Sequence, residues 1–297
     1  MKRIAEQIAG GKILVADGAW GTLLQQQGLQ PGECPELWCL THRNEVLEIA
    51  RSYIAAGADM IKANSFGGTT FKLEFFGLAG KAGEINKASA SISREAAGPD
   101  KHVIASMGPT GKMLLMGDVT EPQLKDAFAG QAVALEKGGA DAVCIETMSD
   151  IAEACLAIQA VKENTGLEII CTFTFEKNAN GEYRTMMGVD PAGMAGACIS
   201  AGADIIGSNC GNGFEQMPEI AAKIRKAAPD TPIIINANAG LPVNRNGTTY
   251  FPETPAMAAK YVPAIVAAGA NIIGGCCGTT PDHIKAIAEA VRVMGRR

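Results

Sequence analysis

Apolar runs along the chain are short and evenly spaced, and four of them start the same way. Ala56-Gly57-Ala58-Asp59, Gly138-Gly139-Ala140-Asp141, Ala201-Gly202-Ala203-Asp204 and Ala268-Gly269-Ala270-Asn271 each close a segment of helical character, such as Glu45 to Ala55 or Gln131 to Lys137. Each opens an apolar run: Met60-Ile61, Ala142-Val143-Cys144-Ile145, Ile205-Ile206 and Ile272-Ile273. Glycine ends a helix in the left-handed conformation at no steric cost. The run that follows has strand length and strand composition. Between these copies lie four more strand candidates, Lys12 to Ala16, His102 to Ser106, Glu168 to Thr174 and Pro232 to Asn236.

Strands alternating with helices predict a parallel sheet. Their continuous apolar character predicts burial on both faces. Eight such units in 297 residues match the size of an α/β (β/α)8 TIM barrel. A doubly wound open sheet is the alternative. No linker or low-complexity segment divides the chain, so one domain over residues 1–297 is expected. Asn180-Gly181 is a turn signal, and Asn178 to Met187 reads as a hairpin-like excursion.

Composition narrows the function. Hydrophobic residues are 47% and charged residues 19%, which supports a large packed core without disulfide staples. A net charge of −5 without a basic cluster argues against nucleic acid and anionic membranes. Aromatics at 5% offer little stacking surface for single strands. No uninterrupted apolar run is long enough to span a bilayer, and Met1 to Asp17 does not resemble an export signal. A cytoplasmic protein is expected. The cysteines number nine, an odd count, so reduced thiols are expected over a disulfide framework.

Barrel chemistry sits on the loops after the C-terminal ends of the strands. Those places carry Asp17, Asn64, Ser106, Glu146, Thr172, Cys210, Asn238 and the pair Cys276-Cys277. Cys210 follows the sixth strand and the pair follows the eighth, with only the seventh between them. Three sulfurs can therefore converge as a metal site with an open fourth position, the catalytic form of zinc. Adjacent cysteines cannot both face inward from a regular strand, but they can from a turn, and glycines flank this pair. Buried inert thiols or a redox-active Cys276-Cys277 pair are the competing interpretations.

These residues resemble the homocysteine S-methyltransferases, in particular the homocysteine-binding module of cobalamin-dependent methionine synthases. The resemblance covers essentially the whole chain. It is carried by Asp17-Gly18-Ala19-Trp20-Gly21-Thr22, Ala63-Asn64-Ser65-Phe66, Gly108-Pro109, Ile145-Glu146-Thr147, Asn209-Cys210, Asn238-Ala239-Gly240-Leu241-Pro242 and Gly274-Gly275-Cys276-Cys277-Gly278-Thr279-Thr280-Pro281. It implies a zinc ion on Cys210, Cys276 and Cys277, with the homocysteine sulfur in the fourth position. Asn238 matches a position that can occupy the metal without substrate; a turn role before Gly240 is the plainer alternative. The resemblance implies that Asp17 and Glu146 hold the substrate ammonium. Backbone N–H groups from Gly18 to Thr22, together with Ser106, are expected to meet its carboxylate.

The implied reaction is zinc-dependent S-methylation of homocysteine to methionine. The expected donor is methylcobalamin on a separate corrinoid protein, since no Asp-x-His-x-x-Gly stretch is present to hold a corrinoid. S-methylmethionine or another sulfonium comes second and betaine third. A demethylase component or a binding module of a multi-protein methyl-transfer system is the alternative of a different class. Trp20 and Ala237 depart from residues common in relatives, and Trp20 lies where it could reshape the donor side. His102 and His283 are expected at the surface or in caps. Met113 to Met116 and Met186-Met187 are expected to shape the mouth.

Overall fold

The computed structural model describes residues 2–245 and 248–295. The apolar runs form eight parallel strands: β1 (Leu14–Val15), β2 (Met60–Ala63), β3 (His102–Met107), β4 (Ala142–Met148), β5 (Glu168–Phe173), β6 (Ile205–Gly213), β7 (Ile233–Asn238) and β8 (Ile272–Gly275). From β2 onward each pairs with the next, and β8 pairs back onto β1. Closure between β1 and β2 is made by the bond from Asp59 N to the Val15 carbonyl, 2.7 Å. The open-sheet alternative is thereby excluded.

The recurrent junction has a physical reason on both sides of the glycine. Gly57, Gly139, Gly202 and Gly269 have φ of 101°, 96°, 113° and 109°, the left-handed exit that L side chains rarely adopt. The polar residue two places on then bonds the preceding strand twice. Asp141 N donates to the Val103 carbonyl, and Asp141 Oδ2 accepts from Val103 N at 2.8 Å. Asp59 does the same to Val15, Asp204 to Ile169 and Asn271 to Ile233. Every second strand is thus fastened at its start to the strand before it.

Inward positions of the strands alternate with outward ones. Leu14, Met60, Ile104, Ala142, Ile170, Ile205, Ile234 and Ile272 fill the lower barrel. A short helix, Ile4–Ala9, adds Ile4 and Ile8 to this core. Glu168 holds the helix there by accepting from Ile4 N and Ala5 N. A second, larger layer lies between the strands and the surrounding helices, from Val15 and Ile61 to Ile273 and Ile287. Two residues beyond Met60 and Ile104, the alternation brings polar Lys62 and Ser106 to the inward side, both buried. The apolar floor therefore ends where the chemistry begins.

The hairpin expected over Asn178 to Met187 starts slightly earlier: Glu176–Lys177 pairs with Tyr183–Arg184. A second one pairs Val243–Arg245 with Thr248–Tyr250. One expectation needs correction. His102 opens β3 but is buried, its ring beside Gln7 and Asp141, and burial lowers its pKa. His283 does cap the last helix, Pro281–Met294, but it too is buried. Its ring bonds Thr280 on one side and lies 2.9 Å from the Glu253 carbonyl on the other. Among the described residues no helix is long and apolar enough to cross a membrane.

Candidate active site

Cys210 lies within β6 rather than beyond it. The register between β6 and β7 shifts between Asn209 and Gly213, and Cys210 has φ of 59°. A non-glycine residue in the left-handed region marks imposed backbone strain. Here the kink turns the Cys210 thiol towards the neighbouring strand ends. Cys276 and Cys277 occupy the turn after β8, with Gly278 at φ 78°. Thr279 Oγ1 fastens that turn by donating to the Cys276 carbonyl at 2.7 Å and accepting from Ala19 N at 3.1 Å. Gly275 must be glycine here, since a Cβ would stand 2.2 Å from Thr279 Oγ1.

The three thiols meet: their sulfurs all lie within 4.8 Å of one another, with Cys210 and Cys277 3.9 Å apart. Three sulfurs at about 2.3 Å from one tetrahedral metal would be roughly 3.8 Å apart, so the spacing suits such an ion. The other cysteines show no such convergence among the described residues. Electrostatics agree. Donation from Cys276 and Cys277 drives the Cys210 thiol far below its ordinary range, against burial. The same bonds push Cys276 up to about 11, and Cys277 higher still. The cluster accepts one negative charge readily and further ones only at a cost, which a bound cation would remove. Asn238 bonds Cys210 through its side chain, while its Oδ1 is buried without a partner. An orphaned oxygen beside three thiols fits a fourth ligand.

Asn209 supports the cluster from behind. Its Oδ1 accepts from Thr147 N and Thr172 Oγ1, and its Nδ2 donates to Thr147 Oγ1 at 2.8 Å. The same Nδ2 lies 3.9 Å from the Cys276 sulfur.

A cavity of about 290 Å³ opens on the cysteines. Gly18, Trp20, Lys62, Ser106 and Glu146 contribute to its wall. A larger depression of about 440 Å³ lies outside the barrel, lined by Arg184, Asp190, Lys223 and Lys226. It holds none of the thiols, so the smaller cavity is the candidate site. Phe66, Leu115, Met116, Met186 and Leu241 stand exposed on loops that follow the strands.

The expected carboxylate pair is not free. Lys62, absent from the sequence-based site, reaches between them: its Nζ is 3.3 Å from Glu146 Oε2 and 4.0 Å from Asp17 Oδ1. Burial pulls the Lys62 ammonium down, but Glu146 and Asp17 outweigh it and hold its pKa well above the ordinary value. Ser106 donates to Glu146 Oε1, so it serves the carboxylate rather than standing open. Asp17 is fully buried, and its Oδ2 accepts from Trp20 Nε1 and Lys62 N. Burial raises Asp17 to about 6 in spite of these donors. The signal for Lys62 was present: a lysine at an inward position of a short apolar strand is rarely buried unless paired. It does not stand out in the sequence because β2 reads as only Met60-Ile61 before the loop.

The comparisons with known proteins agree with this geometry. The family model for homocysteine S-methyltransferase matches residues 14–291. The chain is 34% identical to a methionine synthase from Mycobacterium leprae over 94% of its length, and 31% identical to one from Mycobacterium tuberculosis over 96%. It spans about a quarter of the length of these relatives. Among solved structures, the metallated homocysteine methyltransferase MmuM from Escherichia coli superposes with a TM-score of 0.76 at 21% identity, covering 94% of this chain and 96% of that one. That likeness shows the barrel fold. On the sequence match, the chain belongs to the homocysteine S-methyltransferase family.

Proposed function

We propose that this chain is a zinc-dependent methyltransferase that converts homocysteine to methionine, with methylcobalamin on a separate corrinoid protein as the donor. The observation that carries it is the convergence of Cys210, Cys276 and Cys277 within 4.8 Å at the floor of the cavity. Those three residues would hold the ion, with Asn238 as the stand-in when substrate is absent. Zinc bound there would supply the positive charge that keeps a thiol ionised near neutral pH.

The chain's own residues do the rest. Glu146 and, behind it, Asp17 provide the negative charge for the substrate ammonium. Gly18 lets the loop after β1 pack closely against its neighbours, for a Cβ there would meet Thr279 Oγ1 at 2.7 Å and the Tyr53 ring and hydroxyl at 2.9 Å. The cavity orients one thiol towards the mouth, which converts a bimolecular attack into a directed one. The substrate sulfur forms the new S–C bond, the bond from methyl to donor breaks, and its electron pair leaves with the donor. The thiol proton goes to solvent. The exposed apolar side chains on the surrounding loops suit a docking protein better than a free small donor.

A sulfonium such as S-methylmethionine is the alternative donor, with betaine behind it.

The test is turnover by the zinc-loaded chain with homocysteine and free methylcobalamin. Methionine formed in step with the colour change of demethylated cobalamin supports the proposal. Homocysteine binding without product, followed by turnover with S-methylmethionine, would replace the donor. A chain that neither retains zinc nor binds homocysteine would overturn the reading altogether.

A further inference from the structure

Several polar groups around the place expected for the substrate carboxylate are already engaged. Ala19 N bonds Thr279 Oγ1, Ser106 bonds Glu146, and the Trp20 indole bonds Asp17. Asn64 Nδ2 bonds the Pro35 carbonyl at 2.7 Å. Lys62 stands on the same wall as a charged donor. Its ammonium has three N–H donors. One is answered by Glu146 at 3.3 Å, and Asp17 stands at the edge of contact at 4.0 Å. The group therefore has capacity left on its cavity side. It also occupies the space between the two carboxylates, so a second ammonium entering there would meet a like charge at short range.

We propose that Lys62 is a specificity-determining residue that receives the carboxylate of the thiol acceptor, so that the cavity recognises a mercapto acid through a buried Lys62–Glu146 couple. This rests on the methyl-acceptor role proposed above and changes its electrostatics. A carboxylate against Lys62 is a charge-assisted contact in a water-poor pocket, where such contacts are strong. The substrate ammonium, if present, is left to Glu146 alone and turns away from Lys62. The carboxylate is then the indispensable half of the amino acid and the amine the dispensable one.

The experiment compares three thiols on the cobalt-substituted protein, reading the sulfur-to-cobalt charge-transfer band, and on the zinc protein by calorimetry. They are homocysteine, 4-mercaptobutanoate, which lacks the amine, and 3-aminopropane-1-thiol, which lacks the carboxylate. On the wild-type chain the mercapto acid should bind about tenfold or more tighter than the aminothiol. In Lys62→Met, both carboxylate-bearing thiols should weaken about tenfold or more, with the aminothiol unchanged or improved. An aminothiol that outranks the mercapto acid on the wild-type chain overturns the proposal without reference to any variant. So does homocysteine binding more tightly to Lys62→Met, which would mean that Lys62 merely fills the ammonium's place. Equal weakening of all three thiols would assign Lys62 a packing role and also overturn it. If homocysteine itself leaves the cobalt band unchanged, the acceptor role fails first; a wrong ranking among thiols that do bind defeats the lysine alone.

Discussion

Asn209 clasps Thr147 with both ends of its amide: Oδ1 accepts from Thr147 N and Nδ2 donates to Thr147 Oγ1, each at 2.8 Å. Thr147 has φ of 63°, a conformation costly for a β-branched residue, and these bonds keep it there. Because the same Nδ2 also faces the Cys276 sulfur, one side chain joins the Glu146 loop to the thiol cluster.

Removing that clasp should loosen the cluster without deleting a thiol. In Asn209→Ala, Thr147 loses its restraint and Cys276 loses the amide 3.9 Å from its sulfur. Outer-shell partners of this kind are worth about 10–100-fold in metal affinity. Competition with a chromophoric chelator should show zinc affinity reduced by that order, with far-ultraviolet circular dichroism unchanged. Wild-type affinity in the variant would reduce Asn209 to a strand-end fastener.

Serine at any one position of the thiol triad should abolish stoichiometric zinc. Cys277→Ser leaves two sulfurs and a weakly acidic hydroxyl, and Cys210→Ser removes the thiol that takes the first negative charge. Atomic absorption should fall from about one equivalent to a small fraction in each, with turnover lost in parallel. Cys155→Ser is the control, because Cys155 lies outside the cluster and bonds the Ala197 carbonyl at 3.8 Å. Full zinc content in Cys277→Ser would remove that residue from the ligand set.

The barrel was legible because its repeat is written in residues with one physical task each. Glycine at the junction says where a helix ends, and the apolar run says where a strand starts. The partners of the thiols could be named since chain order puts β6 and β8 one strand apart. Lys62 stayed hidden for a different reason. Whether a side chain at the end of a short strand faces the barrel or the helices depends on strand tilt and register, and Met60-Ile61 alone is too short to set the phase. The engagement of Ser106 and Ala19 N was equally invisible, for it depends on Glu146 and Thr279, 40 and 260 residues away. The role of the junction aspartates also needed three dimensions, since each acts on the strand before its own.

That aspartate role makes a prediction about stability. Asp204→Ala frees Ile169 N at the edge of the barrel floor, where it now bonds Asp204 Oδ2 at 2.9 Å. A lost partner of this kind costs about 1–3 kcal/mol. Asp204→Asn keeps an acceptor and gives up only the charge paired with Arg3, whose side chain is 54% exposed. An exposed pair is worth about 0–1 kcal/mol. Asn271 already performs the task at the fourth junction. Urea unfolding should therefore rank wild type, then Asp204→Asn closely, then Asp204→Ala well below. Equal losses in both variants would show that charge, and not the acceptor, fastens β5.

Asp17 should give the fold a pH dependence of the opposite sense to that of a paired surface carboxylate. Burial raises its folded-state value to about 6, from an ordinary 3.8. The folded chain then holds a proton on Asp17 that the unfolded chain has released throughout that interval. Stability from this group is therefore gained as pH falls through about 6 and is complete near 4, with a ceiling of about 3 kcal/mol for a shift of this size. Asp17→Asn keeps an oxygen for Trp20 Nε1 and Lys62 N but cannot titrate. Measured at pH 7 and again at pH 5, the stability of the variant relative to wild type should fall by about 1 kcal/mol or more, because only the wild type gains a proton between them. A difference that stays constant across the two pH values would mean that Lys62 holds Asp17 ionised down to the ordinary carboxylate range, and that the buried couple beneath the cavity carries its full charge during binding.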